Sequence, residues 1–122
     1  MSGLQEIFQD YGADYRTTMA RFVGNEAMYL HFLDLLFQDE NLDKLISSLD
    51  SGDLTRAFEA AHTLKGVTGN LGLTPLYESI CRIVEPLRRG EVLDYRDACQ
   101  DIQLEFQRAD QFRAALRKGD AT

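Results

Sequence analysis

Tryptophan is absent from this 122-residue chain, and proline and cysteine occur only twice each. So few prolines leave long stretches free to take regular backbone. Cys81 and Cys99 stand far apart, with no CxxC pair and no Cys/His spacing between them, so no zinc or redox motif is present. They read as two small buried thiols of a reducing cytosol. Positive charge is also scarce: 13 Lys and Arg face 20 Asp and Glu, a formal net charge of -7. A binder of nucleic acid needs clustered cations that release counterions, and this balance argues against one. Long apolar runs are missing as well. Leu35-Leu36-Phe37 is typical of the longest, whereas a membrane-spanning helix needs about 20 residues. Met1-Ser2-Gly3-Leu4-Gln5-Glu6 has no secretory pattern, and Ser2 stands where a myristoylation signal needs glycine. The expectation is a monomeric cytoplasmic protein whose residues 1–122 form one domain.

What is there is helical periodicity. Hydrophobic residues make up 44% and charged residues 27%, close to a soluble globular average. Apolar positions recur at helical spacing, with Gly, Asn, Asp or Pro between the blocks. Leu4, Ile7, Phe8 and Tyr11 form a short stripe ended by Gly12, and Asp14 caps a second carrying Tyr15, Met19 and Phe22. Gly24-Asn25 introduces a helix over about 25–38 with Tyr29, Phe32, Leu33, Leu36 and Phe37 on one face. Leu42, Leu45, Ile46 and Leu49 follow, and Ser51-Gly52-Asp53 is a stop and a cap. Leu54, Ala57, Phe58, Ala61, Leu64, Thr68 and Leu71 then line one helix face. Thr74-Pro75 restarts the chain, with Thr as N-cap and Pro at the first helical position. Pro86 is expected to kink or end that helix before Arg88-Arg89-Gly90. A last helix is expected over about 93–118, with Lys118 to Thr122 frayed. Four substantial helices with short connections predict an all-α, antiparallel up-down-up-down four-helix bundle, the short N-terminal helices capping one end.

The two histidines differ. His31 points away from its helix's apolar stripe and reads as a solvated side chain. With Ala61 taken as the centre of its buried face, His62 falls about 100 degrees away, on the flank where core meets water. Thr55, Glu59, Gly66 and Gly69 share that flank. Two glycines on one helix face cost roughly 1 kcal/mol each relative to Ala. Either they leave room for another molecule to approach the ring, or Gly66 serves helix packing and Gly69 begins the C-terminal unwinding. Lys65, one turn after His62, adds a mobile cation suited to a phosphoryl group's roughly two negative charges.

Ala61-His62-Thr63-Leu64-Lys65-Gly66, followed by Val67-Thr68-Gly69-Asn70-Leu71-Gly72, closely resembles the phosphoacceptor helix of the histidine-containing phosphotransfer (HPt) domain family. Leu49 to Leu54 resembles the turn before that helix, and Asn25 to Leu33 resembles the family's earlier helix. The resemblance covers about residues 10–110. It implies that His62 accepts a phosphoryl group from the aspartyl phosphate of a response-regulator receiver domain and passes it to another receiver aspartate. Lys65 would then stabilise phosphate charge, and Gly66, Gly69, Thr55 and Glu59 would belong to the receiver-docking face. A hybrid sensor histidine kinase is a further implied partner. Val67 and Thr68 are bulkier than the Gly/Ala often found after Lys-Gly, so an altered docking rim is expected.

No carboxylate pair flanks His62 to bind metal, and the chain has no Walker or Gly-rich nucleotide loop. The Mg2+ that phosphoryl transfer uses is therefore expected from the partner receiver. The chain reads as a phosphoryl carrier with no ATP-dependent kinase activity of its own. Because the neutral imidazole is the nucleophile, acceptance should fade in acid. Arg56 and Arg82 join Lys65 as candidates to offset the chain's acidity near a carboxylate-rich receiver. The competing reading is a non-catalytic helical interaction module in which His62 and its glycines serve packing. A ring open to solvent would favour transfer, and a sealed ring would favour packing. A di-metal carboxylate bundle needs paired Glu-x-x-His motifs, and Glu59-Ala60-Ala61-His62 supplies one.

Overall fold

The computed structural model describes residues 3–120, and its regular backbone is helical throughout. Seven helices follow in order: α1 (Gly3–Tyr11), α2 (Tyr15–Arg21), α3 (Glu26–Gln38), α4 (Asn41–Ser51), α5 (Leu54–Asn70), α6 (Thr74–Arg88) and α7 (Arg96–Asp120). Their boundaries follow from local chemistry. Asp14, Asn25 and Asp53 each accept a hydrogen bond from a backbone N–H in the first turn ahead, at Thr17, Met28 and Arg56. Gly52 closes α4 in the left-handed region at φ 77°, where a side chain would be strained.

Three boundaries differ from the sequence expectation. Leu73 is the N-cap of α6 and Thr74 its first helical residue, so Thr74 makes no side-chain cap. Pro86 lies inside α6, which runs on to Arg88. Its missing N–H takes the helical partner from the Arg82 carbonyl four residues earlier, and α6 ends two residues after the proline. The final helix starts at Arg96 rather than near residue 93, after a segment without regular structure in which Asp94 accepts from the Arg96 N–H. It continues through Asp120, so Lys118 and Gly119 are helical. The rest of the expected frayed tail, Ala121 and Thr122, lies outside the described residues.

α5 packs between α4 and α6, while α7 contacts α6, α3 and α1. Phe58 near the start of α5 meets Arg88 at the end of α6, and Gly69 near the end of α5 meets Tyr77 near the start of α6. These two helices therefore run in opposite senses. So do α3 and α7, in which Phe37 faces Phe106 and Asp34 faces Arg113. The core runs through all of them, with Leu33, Leu45, Ala57, Ala61, Leu76, Ile80 and Ile102 fully buried. α1 and α2 gather at the end where α5 turns into α6. Gly12 approaches Pro75, and Gly119 of α7 approaches Ile7. Phe112 of α7 anchors this end by stacking on Tyr11 and meeting Phe8 edge to face.

The same end fixes the terminus of α5. Tyr29 donates its hydroxyl to the Leu71 carbonyl at 2.8 Å. Arg21 donates to the Gly69 and Asn70 carbonyls at 3.1 and 3.2 Å, supplying donors to helix-end carbonyls that lack intrahelical partners. Gly72, at φ 67°, lies so close to Thr18 that any β-carbon there would collide with it.

Candidate functional site

His62 is exposed, in the middle of α5. It lies farther from the core than an Ala61-centred face implies, because Ala57, Ala60, Leu64 and Thr68 are buried along with Ala61. With α4 on one side of α5 and α6 on the other, the buried arc is wide and its centre is rotated away from the histidine. The ring is nonetheless supported. Its centroid is 5.5 Å from that of Phe58, one turn earlier, with 26° between the planes, an offset stack. Phe58, expected among the inward-facing residues, is only half-buried. The guanidinium carbon of Arg88 lies 4.8 Å from the same phenyl centroid.

On the other side of His62 an open depression of about 730 Å³ separates α5 from α3. His62, Thr63, Gly66, Val67 and Asn70 line it from α5 and its end, and Phe32, Leu35 and Leu36 line it from α3. Phe32 and Leu35 are 45% and 43% exposed, enough to make this rim an apolar surface. Helical spacing predicts that Phe32 faces the core, but α3 contacts α7 on its other side, which leaves Phe32 beside the histidine. A β-carbon on Gly66 would meet no atom within 4 Å. Gly66 thus serves no helix packing.

The other residues on the histidine's flank divide. Gly69 is not part of the open face: a β-carbon there would stand 3.0 Å from Cε1 of Tyr77, so its missing side chain admits α6. Thr55 is exposed in the first turn of α5 and does not line the depression. Glu59 is exposed and paired with Lys44 of α4 at 3.6 Å. Lys65 is half-buried one turn after His62. Thr68 does not shape the rim, since it is buried with its hydroxyl donating to the Leu64 carbonyl at 2.7 Å. Val67, half-buried and lining the depression, does.

Of the two arginines suggested as charge compensation, Arg82 is tied to Asp101 at 2.7 Å across α6 and α7. Arg56 is exposed in the first turn of α5 and lines a different depression, with Asp39 and Asp43. The cation nearest the imidazole's support is Arg88, which the sequence offered no reason to select. His31 is exposed, as its helical phase predicts. Cys81 and Cys99 are free and half-buried; burial and the nearby Asp50 carboxylate push the Cys99 thiol up. Among the described residues, no group of three or more His, Cys, Asp and Glu is placed to hold a metal ion, and no helix is long and apolar enough to cross a membrane.

The structure is thus an all-helical bundle in which His62 is exposed on α5, stacked on Phe58 and one turn from the open Gly66 position. The family model of the Hpt domain matches residues 31–112, most of the chain, and the chain belongs to that family. Members are histidine phosphotransfer domains of phosphorelays. No curated protein and no solved structure matches the chain. α1 and α2 lie outside the matched residues.

Proposed function

We propose that this chain is a phosphoryl carrier in which His62 takes a phosphoryl group from the aspartyl phosphate of a receiver domain and passes it to the aspartate of another. The observation that carries the reading is the exposed His62 imidazole beside the open Gly66 position, at the edge of an apolar depression. A packing role would require a ring sealed under a neighbouring helix.

In the accepting step, the lone pair of the unprotonated ring nitrogen forms the N–P bond as the P–O bond to the aspartyl carboxylate breaks. The bonding pair leaves on that carboxylate, and the proton on the other ring nitrogen can pass to solvent. Delivery reverses these changes. Both phosphoryl bonds are high in energy, so transfer is near balanced and depends on positioning and charge stabilisation. Lys65 supplies a cation on a flexible stem. Mg2+ and the acidic pocket come with the receiver. Gly66 leaves room for the receiver's backbone to approach, and Phe32, Leu35 and Val67 give it an apolar seat.

On this reading the chain works as a cytoplasmic monomer supplied through a hybrid sensor histidine kinase, and it takes no phosphate from ATP. The test is transfer from a panel of phosphorylated receivers to the wild type and to His62→Gln. Wild-type uptake that disappears in His62→Gln supports the proposal. Uptake by His62→Gln, or incorporation from ATP by the purified protein alone, overturns it.

A further inference from the structure

The acceptor ring has a support that the phosphotransfer motif does not contain. We infer that Phe58 is a positioning residue for His62, its phenyl ring serving as the platform that fixes the plane in which the imidazole is offered; this rests on the phosphotransfer reading above.

Three observations converge. A helical side chain leans toward the N-terminus, over the residue four positions earlier. For His62 that residue is Phe58, and the rings lie in an offset stack with centroids 5.5 Å apart and 26° between planes. Second, Phe58 is itself held: it is half-buried against the core, and the guanidinium of Arg88 lies over its ring at 4.8 Å. Arg88 is in turn fixed by Glu85, whose carboxylate accepts from its Nε at 3.1 Å. The platform is therefore anchored to α6 as well as to α5. Third, Phe58 does not line the depression that holds Gly66 and Phe32. It can orient the nucleophile without being part of the surface on which the partner sits.

The consequence is geometric. The reacting lone pair lies in the imidazole plane, and phosphoryl transfer demands an in-line approach to phosphorus. An exposed histidine without a platform would share its population among several rotamers, few of which point the lone pair along that line. An aromatic stack of this kind shifts such a population by about 3- to 10-fold. Phe58 should thus act on the rate of transfer within the complex and not on assembly of the complex.

The experiment compares wild type, Phe58→Leu and Phe58→Tyr, with thermal melts confirming that each is folded. In the unphosphorylated protein, the carbon-bound ring protons of His62 should be shifted upfield by the phenyl ring current. Leu should return them to the positions of a free imidazole, while Tyr keeps them. With a receiver charged by acetyl phosphate as donor, Phe58→Leu should lower kcat by about 3- to 10-fold and leave KM within about twofold, and Phe58→Tyr should restore kcat. Unchanged ring shifts, an unchanged kcat, or a rise in KM alone overturns the role of Phe58 and leaves the phosphotransfer reading standing. Failure of the wild type to accept from any charged receiver overturns the phosphotransfer reading instead. The two failures are distinguishable because the ring shifts report the stack with no partner present.

Discussion

Gly69 and Tyr77 are in close contact: a β-carbon on Gly69 would stand 3.0 Å from Cε1 and 3.1 Å from Cδ1 of the tyrosine ring, so the ring would have to shift to admit it. Gly66, three residues earlier on the same helix, would place its β-carbon in open space. The two glycines of α5 thus differ, one facing a neighbouring helix and one facing open space.

Opposite outcomes for the same substitution follow. Gly66→Ala should raise unfolding stability by about 0.5–1 kcal/mol, because alanine is the better helix former and meets nothing. It should also slow phosphoryl transfer from a receiver. Gly69→Ala has the same propensity gain but must displace the Tyr77 ring, so it should show no net stabilisation. Denaturant melts of both variants, with transfer assays on each, check the division; stabilisation by both would refute it.

His62→Gln should leave the fold unchanged, since the ring is exposed and loses only its stack on Phe58, worth at most about 1.5 kcal/mol. Circular dichroism and a thermal melt should match the wild type to within that margin while phosphate uptake is abolished. Lys65→Ala should retain uptake at a reduced rate, as expected of a group that stabilises charge without bonding to phosphorus.

Asp34 of α3 receives both Arg113 and Arg117 of α7; the Arg113 pair is 3.2 Å long, and the Arg117 contact is also close. Arg113 further lies over the Phe37 ring at 4.5 Å. Asp34 is 22% exposed, so screening limits each pair, and Asp34→Ala should cost roughly 1 kcal/mol. Added salt should narrow the gap between variant and wild type. A loss of several kcal/mol, or none, in urea unfolding would contradict this account.

The chain should be limited at alkaline pH by two buried phenols. Burial raises the Tyr29 and Tyr11 hydroxyls well above the ordinary tyrosine range, with Glu105 adding to the shift at Tyr11. A raised folded-state value means that the stabilisation is complete below about pH 10, the unfolded value, and is lost as pH climbs past it. Phenolate absorbance should therefore rise for the more exposed tyrosines first and for these two only with loss of helicity. On the acid side, the Asp94 carboxyl is held down to about 2 by its hydrogen bonds from Arg96. Its contribution is present above about pH 4 and is lost as pH falls through about 2. Carboxyl NMR titration of Asp94 should show it still ionised at about pH 3.

Much of this architecture is legible in the sequence. Asp14, Asn25 and Asp53 are caps wherever their side chains can reach the first-turn N–H, which is a matter of local sequence. The exposure of His31 follows from helical phase alone. Pro86 does not end α6 before Arg88, because a proline's missing N–H and ring act on the turn before it, and two more residues can follow in helical conformation. Phe112 carries no sequence signal marking it as the anchor of the N-terminal helices. Phe32 and Phe58 are both apolar and both in helical register, so spacing assigns them to the core; hydrophobic spacing does not reveal where a neighbouring helix is missing.

The sequence by itself determined that the chain is helical, where most helices begin, and that one histidine stands in an acceptor motif beside Lys65 and Gly66. Only the tertiary structure decided what surrounds that histidine: Phe32 and Leu35 from α3 along the depression, Arg88 from α6 over Phe58, and Tyr77 against Gly69. The reason is physical. The 3.6-residue period fixes a side chain's angle around its own helix axis, whereas the helix that fills a given angle is chosen by packing among all the elements at once.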